Sequence, residues 1–208
     1  MSNRRVYAKG MVTDMGEKSL QKKKFILETA RDVFREKGYK KVTMKDIVDK
    51  CEISRGGLYL YFDSTKELFE EVLRMETEET DDVFTGAISK EATCTDILLL
   101  FFKEQKRELL RKKKTLTVAI YEFFFENKVP KKENHIRNQF EIGVKIMEQL
   151  ITDGVENGEF YCEDVEGMAR NIMFVIEGMK ITSQTMGLSE EMIDYEFGFI
   201  VQGLVIEE

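Results

Sequence analysis

A short segment of the chain, residues 54–62, combines residue types that suit contact with nucleic acid. Two adjacent glycines stand near its start, and two tyrosines, Tyr59 and Tyr61, stand near its end. Glycine lets the backbone of a short helix approach another surface closely, and a tyrosine hydroxyl donates to phosphate oxygens. Residues 43–50 form another helix-like stretch just before this segment. The pattern predicts two short helices joined by a tight turn, an arrangement that the DNA major groove admits.

Charge is distributed unevenly along the 208 residues. The net formal charge is −7, yet residues 1–63 hold 15 Lys and Arg against 9 Asp and Glu. Residues 64–208 hold 17 against 30. A basic first third on an acidic body is the asymmetry expected when one end of a protein meets phosphate. The alternative reading of the same pattern is a solvated basic surface.

The first third divides into an arm and three helices. Residues 1–18 show no apolar periodicity and predict a flexible arm. Apolar residues at helical spacing predict a first helix over Ser19–Lys37. Thr43, with Asp46 three residues later, is a weak capping box that opens a second helix. Ser54 opens the third.

The remainder of the chain also predicts helices. Ser64 and Glu67 form a Ser-x-x-Glu capping box, which predicts a fourth helix that continues without a break to about Ile88. One proline and few alternating apolar runs disfavour sheets. The fold class is therefore all-α with about nine helices. The five further helices are predicted at about Thr95–Arg111, Leu116–Asn127, Glu133–Asn157, Asp164–Met186 and Glu190–Ile206.

Several function classes are disfavoured. His135 is the only histidine, so a catalytic histidine pair and a multi-histidine metal site are excluded. The chain contains neither a GxxxxGK[ST] nor a GxSxG motif. Three cysteines without CxxC spacing fit a reducing compartment, and the longest apolar run, residues 97–102, is too short to cross a bilayer. The sequence predicts a cytoplasmic protein with no metal, no cofactor, no membrane association and no enzymatic centre.

The ordered motifs of residues 20–75 resemble the TetR family of bacterial helix-turn-helix regulators. The resemblance rests on Thr-Met-Lys-Asp-Ile at 43–47, Ile-Ser-Arg-Gly-Gly-Leu-Tyr-Leu-Tyr-Phe at 53–62 and Lys-Glu-Leu-Phe at 66–69. It implies a DNA-binding domain over residues 19–64 and a helical ligand-binding and dimerisation domain over residues 65–208. Beyond residue 90 the resemblance is much weaker.

The resemblance also implies roles for individual residues. Arg55 is expected to read guanine, and Leu60 to contact a thymine methyl. Thr43 is expected to donate to a phosphate from the start of the second helix. Glu52 departs from the family, which often has glycine in this turn, and Lys66 stands one position later than the usual lysine. The DNA-binding residues implied are Thr43, Lys45, Ser54, Arg55, Gly56, Gly57, Tyr59, Leu60, Tyr61 and Lys66.

The acidic part of the chain is rich in aromatic residues and methionine. Such residues at helical spacing form a core more often than a pocket, but the family resemblance favours a ligand cavity. The last two helices carry apolar residues on more than one face, which predicts burial against a second subunit in a homodimer. The ligand-binding residues proposed on this basis are Phe101, Phe102, Phe123, Phe124, Met147 and Met173.

The sequence thus predicts a dimeric transcriptional repressor that binds a pseudo-palindromic double-stranded DNA operator and is released by a small apolar or amphipathic molecule. Two alternatives keep the DNA-binding role: an activator, and a ligand-independent structural or division factor. A helical enzyme is a third alternative, disfavoured by the missing catalytic motifs. The operator, the inducer and the regulated genes are not encoded in these patterns.

Overall fold

The computed structural model describes residues 3–84, 92–111 and 115–205, without the side chains of residues 3–15 and 77–84. This part of the chain is helical, as predicted, and contains nine helices. Their bounds are α1 (Asn3–Lys37), α2 (Met44–Cys51), α3 (Arg55–Tyr59), α4 (Thr65–Phe84), α5 (Cys94–Leu109), α6 (Thr117–Glu126), α7 (His135–Glu156), α8 (Val165–Thr185) and α9 (Glu190–Leu204).

Most predicted helix starts are confirmed because local capping residues fix them. Thr43 caps α2 in a reciprocal capping box with Asp46, and Ser54 caps α3 by accepting from the amide of Gly57 at 3.1 Å. Ser64 accepts from the amide of Glu67 at 3.2 Å at the start of α4. Each side-chain oxygen satisfies an amide that has no partner within its own helix.

The start of α1 differs from the prediction. A flexible arm was expected over residues 1–18, yet α1 extends back to Asn3. The segment contains no proline, and its two glycines each cost only about 1 kcal/mol relative to alanine, so local sequence does not end the helix there. At its other end, α1 stops where Gly38 adopts φ +77°. The predicted end of α4 near Ile88 lies outside the described residues.

The chain forms two compact units, neither of which is contiguous in sequence. The first unit comprises residues 1–81 and 118–126, so it includes most of α4 as well as α6. Aromatic packing explains this assignment: Phe69 of α4 lies 4.6 Å from Phe34 of α1, and Phe123 of α6 lies 5.2 Å from Phe69, measured between ring centroids. All three side chains are buried.

The second unit comprises residues 82–117 and 127–208. Its core is formed by buried apolar side chains of α5, α7, α8 and α9. The segment after α7 closes this core: Phe160 packs on Gly154, where a Cβ atom would lie 2.1 Å from the ring. The Glu159 carboxylate accepts from the amides of Cys94 and Thr95 at 3.1 and 2.8 Å, which caps α5. None of the helices in the described parts of the chain is both long and apolar enough to cross a membrane.

Candidate DNA-binding surface

The turn between α2 and α3 sets the angle at which α3 is presented. Glu52 adopts a left-handed conformation, with φ 53° and ψ 38°, and its amide donates to the carbonyls at the end of α2. This is the position at which the family often has glycine. A residue with a Cβ atom is strained in this conformation, at a cost of about 1 kcal/mol.

One groove brings several predicted site residues together. Its walls include Thr43 and Lys45 from the start of α2, Arg55 and Tyr59 from α3, and Ser64 before α4. These positions, which are up to 21 residues apart in sequence, therefore line one groove. Neither Lys45 nor Arg55 has a carboxylate partner among the residues described. The carboxylates of Asp49 and Asp63 line the same groove but form no ion pair with these two side chains. Lys45 and Arg55 therefore remain available to bind a phosphate backbone beside α3.

Thr43 is already engaged within the protein. Its amide and its hydroxyl both donate to the Asp46 carboxylate, at 2.8 and 2.6 Å. Lys37 donates to the same carboxylate at 2.5 Å. The Lys37 ammonium and then the Thr43 donors hold the pKa of Asp46 well below its usual range. A phosphate contact from the Thr43 hydroxyl or amide, as predicted, would have to displace these hydrogen bonds.

The side chains of α3 and the turn after it point in different directions. Arg55 stacks over Tyr59, with Cζ 5.5 Å from the ring centroid. Leu60 is 81% exposed, which leaves its methyl groups free for the predicted contact with thymine. Leu58 and Phe62 are buried and anchor the segment, as expected from their i, i+4 spacing.

The two glycines of α3, which were predicted to face base edges together, have different surroundings. A Cβ atom on Gly56 would meet nothing within 4 Å. A Cβ atom on Gly57 would lie 3.1 Å from the Ser54 hydroxyl and 3.8 Å from the Lys22 ammonium. Only Gly56 therefore faces open space, whereas Gly57 faces the helix cap and α1.

The remaining predicted contacts have partners of their own. The hydroxyl of Tyr61 lies 3.3 Å from that of Ser19 on α1, and either can donate. Lys66 lies 3.9 Å from Glu70, one turn along the exposed face of α4. Sequence reasoning missed Ser19 and Lys22, because the spacing of α1 does not reveal which of its exposed residues reach α3.

The predicted ligand-binding residues separate between the two units. Phe102, Met147 and Met173 are buried in the core of the second unit, and Phe101 packs against that core. Phe123 instead lies in the first unit, with its ring centroid 5.0 Å from that of Tyr39. Packing within the first unit accounts for the burial of Phe123. Phe124 neighbours it on α6, with ring centroids 5.1 Å apart.

Several large apolar side chains of α8 and α9 are exposed. Phe174 is 63% exposed, Tyr195 73% and Phe199 70%, although their neighbours in each helix are buried in the core of the second unit. Both helices are thus apolar on a second face, as predicted. Their other apolar face, which includes Ile176 and Ile200, belongs to the core of the second unit.

Two sequence models describe most of the chain. Residues 26–72 match the model of bacterial regulatory proteins of the tetR family, and residues 97–194 match a tetracycline repressor-like C-terminal domain. The chain belongs to the TetR family. It is a DNA-binding transcriptional regulator of the helix-turn-helix type, and the predicted family is confirmed.

Individual relatives agree with this assignment. The chain is 28% identical over 136 residues to the uncharacterised HTH-type transcriptional regulator YfiR of Bacillus subtilis, a match covering 65% of this chain and 66% of that protein. It is 24% identical over 172 residues to the regulator QacR of Staphylococcus aureus, covering 80% and 88%.

Solved structures show the same fold. A putative transcriptional regulator from Saccharomonospora viridis in complex with choline has a TM-score of 0.77 at 19% identity, covering 89% of this chain and 98% of that one. Reduced NemR of Escherichia coli has a TM-score of 0.74 at 12% identity, covering 90% and 100%.

Proposed function

We propose that the protein is a cytoplasmic homodimeric repressor that binds a pseudo-palindromic operator and leaves it when a small apolar or amphipathic molecule binds the second unit. The observation that carries the DNA-binding half is the groove beside α3, where Lys45 and Arg55 stand without carboxylate partners among the described residues. Such side chains release counterions when they meet phosphates, and Arg55 also has the donors to read a guanine edge.

The dimer is supported by the exposed apolar face of α8 and α9. Phe199 and Tyr195 of α9 and Phe174 of α8 are all more than 60% exposed. A second copy related by two-fold symmetry would bury the same face of both subunits. Two copies of α3 about 34–36 Å apart would then meet successive major grooves on one side of the duplex. The expected operator therefore contains inverted half-sites.

The ligand is expected to be apolar in part because the core of the second unit is built from aromatic, methionine and aliphatic side chains. The relative from Saccharomonospora viridis was solved with choline, a small amphipathic cation. Choline is therefore a reasonable first compound for a thermal-shift screen of apolar and amphipathic molecules. A compound that raises the melting temperature identifies a ligand of the folded state.

Selection of DNA from a random-sequence pool tests the proposal. The wild-type protein should enrich duplexes with inverted half-sites. Arg55→Ala should enrich the same half-sites but show no base preference at one position of each. A pool with no enriched sequence after repeated rounds would contradict sequence-specific binding. Enrichment of a single, unpaired half-site would contradict the dimeric arrangement while leaving the DNA-binding role intact.

The alternatives give different results in the same system. A reporter gene placed behind the selected operator falls in expression for a repressor and rises for an activator. A ligand-independent factor would bind the operator equally well in the presence of every compound that shifts its melting temperature. An enzyme would turn over a compound from the screen, and its turnover would survive Arg55→Ala.

A further inference from the structure

The first helix reaches the proposed DNA-reading helix through one side chain. Lys22 of α1 is exposed, and its ammonium lies 3.8 Å from the position that a Cβ atom on Gly57 would occupy. Gly57 is two residues from Arg55 on α3. The Lys22 ammonium therefore lies at van der Waals distance from the flank of α3 at Gly57.

This ammonium has no carboxylate partner in the described part of the chain. Its two neighbours in sequence do: Lys23 lies 3.1 Å from Glu71, and Lys24 lies 3.8 Å from Glu28. Lys22 therefore forms no ion pair within the described residues, and the same is true of Lys45 and Arg55.

A second contact places the same face of α1 beside this surface. Ser19, one helical turn before Lys22, has its hydroxyl 3.3 Å from that of Tyr61. Residues three apart lie on one face of a helix, so Ser19 and Lys22 form a short polar edge that runs along α3 and the turn after it. The family resemblance implied that Tyr61 is a DNA-binding residue, and its hydroxyl group is of a type that donates to phosphate oxygens, so this edge lies beside a proposed phosphate contact.

We infer that Lys22 binds a backbone phosphate of the duplex and makes α1 a DNA-contacting element alongside α2, α3 and α4. The two glycines then serve separate purposes. Gly56 leaves open space for the incoming DNA, and Gly57 marks where the Lys22 ammonium meets α3. The inference rests on the proposed function, since it assumes that α3 enters the major groove.

The salt dependence of DNA binding tests the inference. The probe is a duplex selected by the wild-type protein from the random pool, and affinity is titrated by fluorescence anisotropy between 50 and 200 mM salt. Lys22→Ala should make the slope of log K against log salt shallower by about 0.9 for each phosphate that Lys22 neutralises, hence by about 1.8 in a two-fold dimer. The ratio of the wild-type affinity to the Lys22→Ala affinity should therefore fall by about tenfold as the salt concentration rises from 50 to 200 mM. Lys22→Arg keeps the charge and should keep the wild-type slope.

Lys24→Ala is the matched control. It removes the same charge two residues away on the same helix, but from a side chain that is paired with Glu28. Equal slopes for Lys22→Ala and Lys24→Ala would overturn the inference, provided that Arg55→Ala still relaxes sequence preference. If the wild-type protein itself binds the selected duplex no more tightly than a random-sequence duplex, the proposed function is overturned instead. Circular dichroism of each variant checks that α1 remains folded.

Discussion

The guanidinium of Arg55 lies over the ring of Tyr59, with 5.5 Å between Cζ and the ring centroid. The two residues are one turn apart on α3, and neither has an ion-pair partner in the described part of the chain. A guanidinium held over an aromatic face gains about 0.5–1 kcal/mol at an exposed site. Tyr59 therefore has two separable functions: its hydroxyl can meet a phosphate, and its ring restrains the residue proposed to read a base.

Two substitutions of Tyr59 separate these functions. Tyr59→Phe removes only the hydroxyl, so binding should weaken by about 1 kcal/mol for the operator and for all its single-base variants alike. Tyr59→Leu also removes the ring and should reduce discrimination at the base read by Arg55. Anisotropy titrations against the set of variant duplexes measure both effects. Unchanged affinity of Tyr59→Phe would remove its hydroxyl from the interface.

Arg55→Ala should relax sequence preference by about 1–3 kcal/mol at one base pair of each half-site. The physical reason is that this substitution removes the bidentate donors of the guanidinium, whereas the backbone contacts remain. In the Arg55→Ala protein, Tyr59→Leu should change the discrimination between operator and variant duplexes no more than Tyr59→Phe does. If Arg55→Ala weakens all variant duplexes equally, Arg55 contacts the backbone instead of a base.

Glu52 should be a site where a single substitution stabilises the protein. Its φ of 53° suits glycine, so Glu52→Gly should raise the free energy of unfolding by up to about 1 kcal/mol in urea titrations. Glu52→Ala is the control, because it removes the charge but keeps a Cβ atom in the left-handed conformation. Equal stabilisation by both variants would show that the charge, and not the backbone, is responsible.

Both Glu52 variants also remove a negative charge from the turn before α3. They should therefore bind random-sequence duplex DNA more tightly than wild type, and by similar factors. If both variants gain DNA affinity equally but only Glu52→Gly gains stability, the charge of Glu52 affects DNA binding and its backbone strain affects stability.

The capping box of α2 should make stability depend on pH. The pKa of Asp46 is lowered by Lys37 and by the donors of Thr43, so it lies below the unfolded value of about 3.9. A depressed carboxyl pKa contributes stability that is present above the unfolded value and is lost as pH falls toward the folded value. Asp46→Asn should thus destabilise the protein at pH 7, and the difference from wild type should shrink between pH 4 and pH 2.

Asp49→Asn is the control for this experiment. It lies on the same short helix, but its carboxylate makes no hydrogen bond or ion pair within the described residues. A pH-dependent difference of the same size for Asp49→Asn would contradict the assignment to the capping box. Chemical denaturation at each pH gives the free energies to compare.

The sequence predicted what local chemistry determines. Capping residues such as Thr43, Ser54 and Ser64 satisfy amides a few residues away, so most helix starts fall within two residues of the prediction. The start of α1 was missed because no stop signal separates residues 3–18 from the helix that follows. Local patterns carry that signal only when a proline, a cap or a break in periodicity is present.

Long-range placement could not be predicted in the same way. Phe123 looked like a residue of the ligand domain, but it packs on Tyr39 and Phe69, more than 50 residues earlier in the chain. Lys22 looked like one lysine in a run of three, and only the fold shows which of them meets Gly57. Both cases depend on how helices pack, which single-sequence periodicity leaves open.

The position of α6 suggests how a ligand could act on DNA binding. The helix belongs to the first unit, but the chain enters it from the second unit and returns there afterwards. Its Glu122 carboxylate accepts from the amide of Lys40 at 3.0 Å, in the turn between α1 and α2. Glu126 pairs with the Lys40 ammonium at 3.2 Å, with both side chains nearly half exposed. The chain also leaves the first unit along α4, so α6 adds a second covalent path between the two units.

If ligand binding moves the ends of α6, Glu122 should transmit that movement to the α1–α2 turn. The ligand and the operator should then weaken each other's binding by the same factor, typically about 5- to 150-fold. Glu122→Ala should reduce this coupling factor. The same variant should change the ligand affinity of the DNA-free protein, and the DNA affinity of the ligand-free protein, by less than about twofold. Glu126→Gln should leave the factor unchanged, because exposed ion pairs contribute little.

Calorimetric titration of a compound from the thermal-shift screen, with and without the selected duplex, measures both sides of the linkage. Equal ligand affinity in the two titrations would exclude that compound as an inducer, and a wild-type coupling factor in Glu122→Ala would exclude the route through Glu122.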